Sequence, residues 1–259
     1  LHLNIDGRRV AVTETILFLL LVAIGTLVQS ITGFAMGLII MGGVTALGLA
    51  EIAFSAAVVS LISMVNAVVA LRHTYRYVDR IFWRNLVMGL VPFTIAGLAL
   101  LHILSTGFTE GLKVLLGIVI ILAGGLLMAQ PHPFGHSSGR FSTIATGSAG
   151  GLVTGLYGAG GAPLAWFMYR QPLDVNVIRA TLLATFLVST AGRSAFVTVS
   201  GQLTSEIVLT ALLSIPIVVV VTLMSRRIAP FVPDKLLRRF VFLLLILLGA
   251  SLILRPIYR

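Results

Sequence analysis

Long apolar runs follow one another from one end of this chain to the other. They cover residues 10–31, 51–71, 85–104, 112–129, 175–199, 206–224 and 240–254. A helix of about 20 apolar residues is long enough to cross the ~30 Å core of a bilayer. Only 10% of the residues are charged and 58% are hydrophobic, with a mean hydropathy of +1.08. A soluble domain carries about 25% charged residues, and 259 residues cannot hide this much apolar surface in one core. The strand-length alternation of an outer-membrane barrel is absent. The chain is therefore expected to be an all-α polytopic membrane protein with 8–10 transmembrane segments. The first run follows Arg8 and Arg9 but lacks a small-residue cleavage site, and it is expected to be retained.

The net charge of +10 does not point to nucleic acid. Its basic residues sit at helix ends and in short loops, where the positive-inside rule operates. Arg72, His73, Arg76, Arg80 and Arg84 form one such cluster, opposed only by Asp79. Arg226, Arg227, Lys235, Arg238 and Arg239 form another. Both are expected to be cytoplasmic.

Two segments break the apolar pattern in an unusual way. Residues 147–163 read GSAGGLVTGLYGAGGAP, with seven glycines and almost no polarity. Residues 29–43 read QSITGFAMGLIIMGG. Each is followed by an apolar piece too short for an ordinary span, 34–49 in one case and 159–169 in the other; for 34–49 a half-helix, a re-entrant segment and a tilted crossing all remain open. Glycine at this density interrupts a helix and lets backbone or ligand come close.

The two breaks belong to a repeat. Shifting the second half by 124 to 125 positions lays Gly33 on Gly158, Pro92 on Pro216, Lys113 on Arg238 and Gly125 on Gly249. The division expected is a first repeat at 1–130, a linker at 131–140 (QPHPFGHSSGR begins it at Gln130) and a second repeat at 141–259. The loop after Asn66 is strongly basic, whereas its counterpart around Gly201 carries no basic residue. The two halves are thus expected to be inverted. Inversion requires an odd number of crossings per half, and counting each broken first helix twice gives five. Both chain ends then fall outside, although Arg8, Arg9, Arg255 and Arg259 are basic. Inverted repeats with discontinuous helices carry their substrate site near the bilayer midplane.

A helix broken inside a membrane leaves backbone N–H groups that need a partner. Inward-pointing helix N-termini add partial positive charge, an environment for an anion. The backbone at Gly33, Gly158, Gly160 and Gly161 is therefore a candidate substrate-binding element; the plainer reading is tight helix packing. Arg193 lies within 175–199 with no acidic residue one turn away. An intramembrane arginine is costly and its planar fork suits an oxyanion; the plainer reading is snorkelling to headgroups. Gln29, Ser30, Thr32 and Tyr157 could donate to a ligand or cap helix ends, and Asn66 could contact a ligand or join helices. Thr154 could likewise donate to a ligand or cap a helix end, and Glu51, at a helix start, reads as a cap or as a proton-coupling group.

The chain has no nucleophile elbow, P-loop or metal-ligand cluster, and no cysteine. His132 and His136 in the linker have no acidic companions. No catalytic residue, metal or cofactor is expected. The partners expected are a small anionic substrate and membrane lipid, with a homodimer left open and no nucleic acid.

The stretch GLVTGLYGAGGAP (151–163), the helix RATLLATFLVSTAGR (179–193) and the weaker first-half copy together resemble the sulfite exporter (TauE/SafE) family of membrane permeases. The resemblance covers most of the chain. It implies about eight helices in two homologous halves and movement of sulfite, sulfonates or related anions. TGFAMG at 32–37 stands where that family commonly has a denser glycine run. The function expected is secondary transport of a small sulfur-containing oxyanion, such as sulfite, a sulfonate or sulfoacetate, exported across the plasma (inner) membrane. The alternatives are an anion channel and an uptake permease for another small organic acid.

Overall fold

A computed structural model describes residues 5–105, 107–128, 134–228 and 234–254. Among the described residues there are ten α-helices, one 3-10 turn (Tyr75–Tyr77) and no strand. The first half holds α1 (Ile5–Thr32), α2 (Met36–Leu47), α3 (Ile52–Leu71), α4 (Arg80–Ser105) and α5 (Thr109–Met128). The second holds α6 (Arg140–Tyr157), α7 (Gly161–Met168), α8 (Val175–Val199), α9 (Ser205–Ile228) and α10 (Asp234–Leu254). Among the described residues, five helices are long and apolar enough to cross a membrane: Thr13–Thr32, Ile52–Leu71, Arg80–Ser105, Val175–Val199 and Ser205–Ser225. Large apolar side chains such as Ile81, Ile103, Leu122, Leu209 and Leu247 point outward. Lipid accepts such a surface and water does not. The chain is an all-α, multi-pass membrane protein.

The helix bounds follow the apolar runs closely, and α8 coincides with 175–199. Pro92 and Pro216 lie inside α4 and α9 without ending them. Of the linker, 134–139 is described; His132, Arg255 and Arg259 lie outside the described residues.

Both breaks fold as hairpins. After α1 the chain turns at Gly33 (φ 83°) and Ala35 (φ 85°), and α2 runs back along α1. Gly25 packs on Met36 and Ile40, and Gly43 on Leu21. The second break turns at Gly158 (φ 66°), and α7 returns along α6 with Leu164 against Gly150. Positive φ is easy for glycine, which has no Cβ to clash, so both turns place glycine first. The short second pieces therefore double back and do not continue the first helix.

The broadest helix contact joins α4 to α6. Gly147 packs on Leu86, Gly151 on Leu90 and Gly155 on Thr94 and Gly97, so the two helices run parallel in steady register. A Cβ on Gly97 would lie 2.5 Å from the Leu152 carbonyl oxygen. Much of the glycine in 147–163 thus serves close backbone approach.

The helix contacts fall into matched pairs. α4 packs on α6 and α9 on α1; α3 packs on α9 and α8 on α4; α10 packs on α2 and α5 on α7. α5 and α10 are antiparallel, with Gly117 on Gly249 and Gly124 on Leu245. α3 packs on α8, and the loop that ends α3 is tied to the start of α8 by an Asp79 N–H donated to Thr181 Oγ1 at 3.0 Å. Those two helices are therefore also antiparallel.

Candidate functional site

The two hairpin tips meet. A Cβ on Gly37 would lie 2.7 Å from the Gly158 carbonyl oxygen, and one on Gly161 would lie 3.2 Å from Phe34 Cβ. Between the tips lies a cavity of about 30 Å³. Its wall includes Gln29, Ser63, Thr154, Ser189 and Thr190, the backbone of Gly158, Gly160 and Gly161, and the ring of Phe186.

The first tip brings Gln29 into this wall. Its Oε1 accepts from the Met36 N–H at 3.3 Å, so the carboxamide caps α2. Its Nε2 donates to Asn66 Oδ1 at 2.8 Å. Asn66, fully buried, donates in turn to Thr222 Oγ1 at 2.7 Å and Ser30 Oγ at 3.5 Å. Asn66 and Ser30 therefore join α1, α3 and α9 and stand behind Gln29. Thr32 donates to Val28 and Phe34 carbonyls at 2.8 and 2.9 Å, closing the turn. Gly33 packs against Arg179. Ala35, the only non-glycine residue at positive φ among those described, also lines the cavity. Such a conformation costs an alanine roughly 1–2 kcal/mol, and strain of this kind concentrates at functional sites.

The second tip supplies the start of α7. That helix begins at Gly161 without a side-chain cap, and the first N–H groups of a helix have no intrahelical acceptor. The α8 wall supplies Ser189 and Thr190, whose hydroxyls rest on the Phe186 carbonyl at 3.0 and 2.7 Å. A hydroxyl rotor can leave such a bond to donate to a ligand.

Arg193 lies one turn beyond Ser189 and Thr190 on α8. It is 1% exposed, so it reaches neither a surface nor a headgroup. One guanidinium nitrogen donates to the Thr154 carbonyl at 3.0 Å and to the Gly155 carbonyl. These are last-turn carbonyls of α6, where a cation also meets the negative end of the helix dipole. Its Nε has no partner, and the only ion pair among the described residues is Lys113–Glu110. A buried charge without a counter-charge costs several kcal/mol. Arg193 is not in the cavity wall but is linked to it through Thr154.

The remaining sequence candidate, Tyr157, turns away. Its hydroxyl donates to the Leu112 carbonyl at 3.0 Å. Of the ten candidates, Gln29, Gly158, Gly160 and Gly161 line the cavity, and the other six support or flank it. Ser63, Ser189 and Thr190 escaped the sequence reading. The spacing of Phe186, Ser189, Thr190 and Arg193 places them on one helical face and was the available signal. No group of three or more potential metal ligands exists among the described residues.

The sequence model of the sulfite exporter TauE/SafE family matches residues 17–252, which include both hairpins and α8. The chain belongs to this family. It is 37% identical over 240 residues to the probable sulfite/organosulfonate exporter TauE of Cupriavidus necator. The match covers 92% of this chain and 93% of that protein. Among TauE/SafE permeases, then, this chain has its two breaks in contact, a hydroxyl-lined cavity between them and an unpaired arginine beside it.

Proposed function

We propose that this TauE/SafE protein is a secondary transporter that exports a small sulfur-containing oxyanion, sulfite or a sulfonate, across the plasma membrane. One observation carries the reading: a cavity walled by hydroxyls and by an uncapped helix start lies beside a buried guanidinium that has no counter-ion among the described residues. Hydroxyls, backbone N–H groups and a cation together form the donor set that an oxyanion demands. The name of the Cupriavidus necator relative supports sulfur anions as the class.

In this reading Gln29, Ser63, Ser189, Thr190 and the backbone at 158–161 receive the anion, and Arg193 supplies the compensating charge. A cavity of about 30 Å³ between the tips is large enough to hold water or a small ion's headgroup, and passage of an oxyanion through it requires the two tips to move apart. Two antiparallel hairpins that meet tip to tip, in halves of opposite orientation, would allow access from each side in turn. The antiparallel packing of α5 on α10 and of α3 on α8 supports that inversion. An inside-negative potential favours anion export by about 2.3 kcal/mol per charge per 100 mV, so proton coupling is not required.

Flux into and out of proteoliposomes, measured with sulfite, sulfoacetate, taurine and sulfate, tests the proposal. Saturable flux with competition between sulfite and sulfonates is the expected result. Flux that never saturates would indicate a channel, and no flux of any anion under any gradient would overturn transport.

A further inference from the structure

The turn of the first hairpin is contacted by two side chains of the second half. Tyr169 donates its hydroxyl to the Thr32 carbonyl at 2.7 Å. A Cβ on Gly33 would lie 3.4 Å from Arg179 Cγ and 3.5 Å from its Cα, so the stem of Arg179 rests on the turn. Arg179 is the fifth residue of α8. The start of that helix is tied through Thr181 to Asp79 in the loop after α3. Arg179 therefore lies at the end of the molecule that carries the basic cluster 72–84, the side that loop charge assigns to the cytoplasm.

The second hairpin makes the corresponding contact without a charge. Gly158 packs on Ala56, the fifth residue of α3, a helix that starts at the opposite end of the molecule. An alanine thus stands against one tip where an arginine stands against the other. Arg179 is half-buried, its Nε has no hydrogen-bond partner, and it makes no ion pair among the described residues. Asp174 and Asp79, which adjoin the start of α8, are taken up in capping helices. Asp174 accepts from the Asn176 N–H at 2.8 Å, and Asp79 from the Ile81 and Phe82 N–H groups at 2.9 and 3.0 Å. Arg179, Phe186 and Arg193 recur at intervals of seven along α8, about 10.5 Å each, so they share one face. Phe186 lines the central cavity. One arginine therefore flanks the cavity on each side along α8. Arg193 is bonded to the α6 carbonyls, whereas Arg179 sits at the turn of a tip that must move.

We infer that Arg179 captures the anion on the basic side of the membrane, before the tips part, and passes it to the central cavity as the Gly33 turn moves. This rests on the transport reading above. A cation without a counter-charge at the mouth raises the local concentration of anion there. Ala56 gives the opposite mouth no such group. The two faces of the carrier therefore differ in affinity, and the basic side is the one from which the anion loads.

Initial uptake of labelled sulfite by everted and by right-side-out membrane vesicles carrying the full chain gives the test. In everted vesicles, which present the basic side to the medium, Arg179→Gln should raise the half-saturating concentration about three- to tenfold, the effect of one partly screened charge. Arg179→Lys keeps the charge and should recover most of the affinity. Both variants keep the Cβ and Cγ that rest on Gly33, so a role in packing alone would shift them alike. In right-side-out vesicles Arg179→Gln should match the parent protein. Arg76 is exposed in the same basic cluster, and Arg76→Gln should leave both values unchanged. No rise in Arg179→Gln overturns the capture role. So does an equal rise in Arg179→Lys, in Arg76→Gln or from both faces. If Arg179→Gln fails to reach the membrane, Arg179→Cys, aminoethylated with bromoethylamine after insertion, replaces it. Restoring the positive charge should then lower the half-saturating concentration, and no change on alkylation overturns capture. Absence of uptake by the parent protein from either face would contradict the transport reading itself.

Discussion

Arg193 shows how a single residue can be evident in sequence and still change its meaning in the fold. A lone arginine in an apolar helix reads as a ligand contact or a headgroup anchor. Burial at 1% exposure removes the anchor, and the bonds to the Thr154 and Gly155 carbonyls add a job at the end of α6. Its place one turn from Ser189 and Thr190 leaves its charge within the field of the cavity. Arg193→Gln keeps hydrogen-bond donors for the α6 carbonyls and removes the charge. Sulfite affinity measured by titration calorimetry should fall about 10- to 100-fold, the range for a hydrogen bond to a charged group, while helical circular dichroism is retained. Unchanged affinity would remove Arg193 from the site. Gln29 and Asn66 were legible as polar residues inside apolar helices. That one caps α2 while the other ties three helices together depends on packing between segments far apart in sequence, which no local pattern records.

At the scale of elements, the glycine-rich stretch divides into two functions that its composition merges. Gly147, Gly151 and Gly155 form a four-residue ladder against α4, whereas Gly158, Gly160 and Gly161 make the turn and the cavity wall. The four-residue spacing was visible in sequence, but its partner helix was not. Gly97→Val should sharply lower the thermal stability of the detergent-solubilised protein, because its Cβ would meet the Leu152 carbonyl at 2.5 Å. Gly192→Ala, on α8 with no atom within 4 Å of the added Cβ, should be neutral or stabilising by up to ~1 kcal/mol, the helix-propensity gain. Equal losses from both substitutions would contradict the packing account. The helix bounds themselves were readable because apolar runs end where charge or glycine begins. For 34–49 a re-entrant segment was one of three open readings, and composition did not choose among them, since a short apolar segment has the same composition whether it continues a crossing or doubles back.

For the whole molecule, we propose that the paired helix contacts reflect an internal repeat whose two halves loop charge orients oppositely. The chain has no cysteine, so single cysteines can be placed without background. Thr74→Cys, in the basic loop after α3, and Ser200→Cys, in the uncharged loop after α8, should react with an impermeant maleimide from opposite sides of the membrane. Labelling of both from one side would contradict inverted halves. In the proposed transporter the anion sits where two segments far apart in sequence, 33–38 and 158–163, meet tip to tip, and it occupies both together. Amide hydrogen exchange of the purified protein, with and without saturating sulfite, measures this joint occupation most directly. The account predicts that sulfite slows exchange in both 33–38 and 158–163 together. Protection confined to one segment, or absent from both while sulfite is bound, would contradict it.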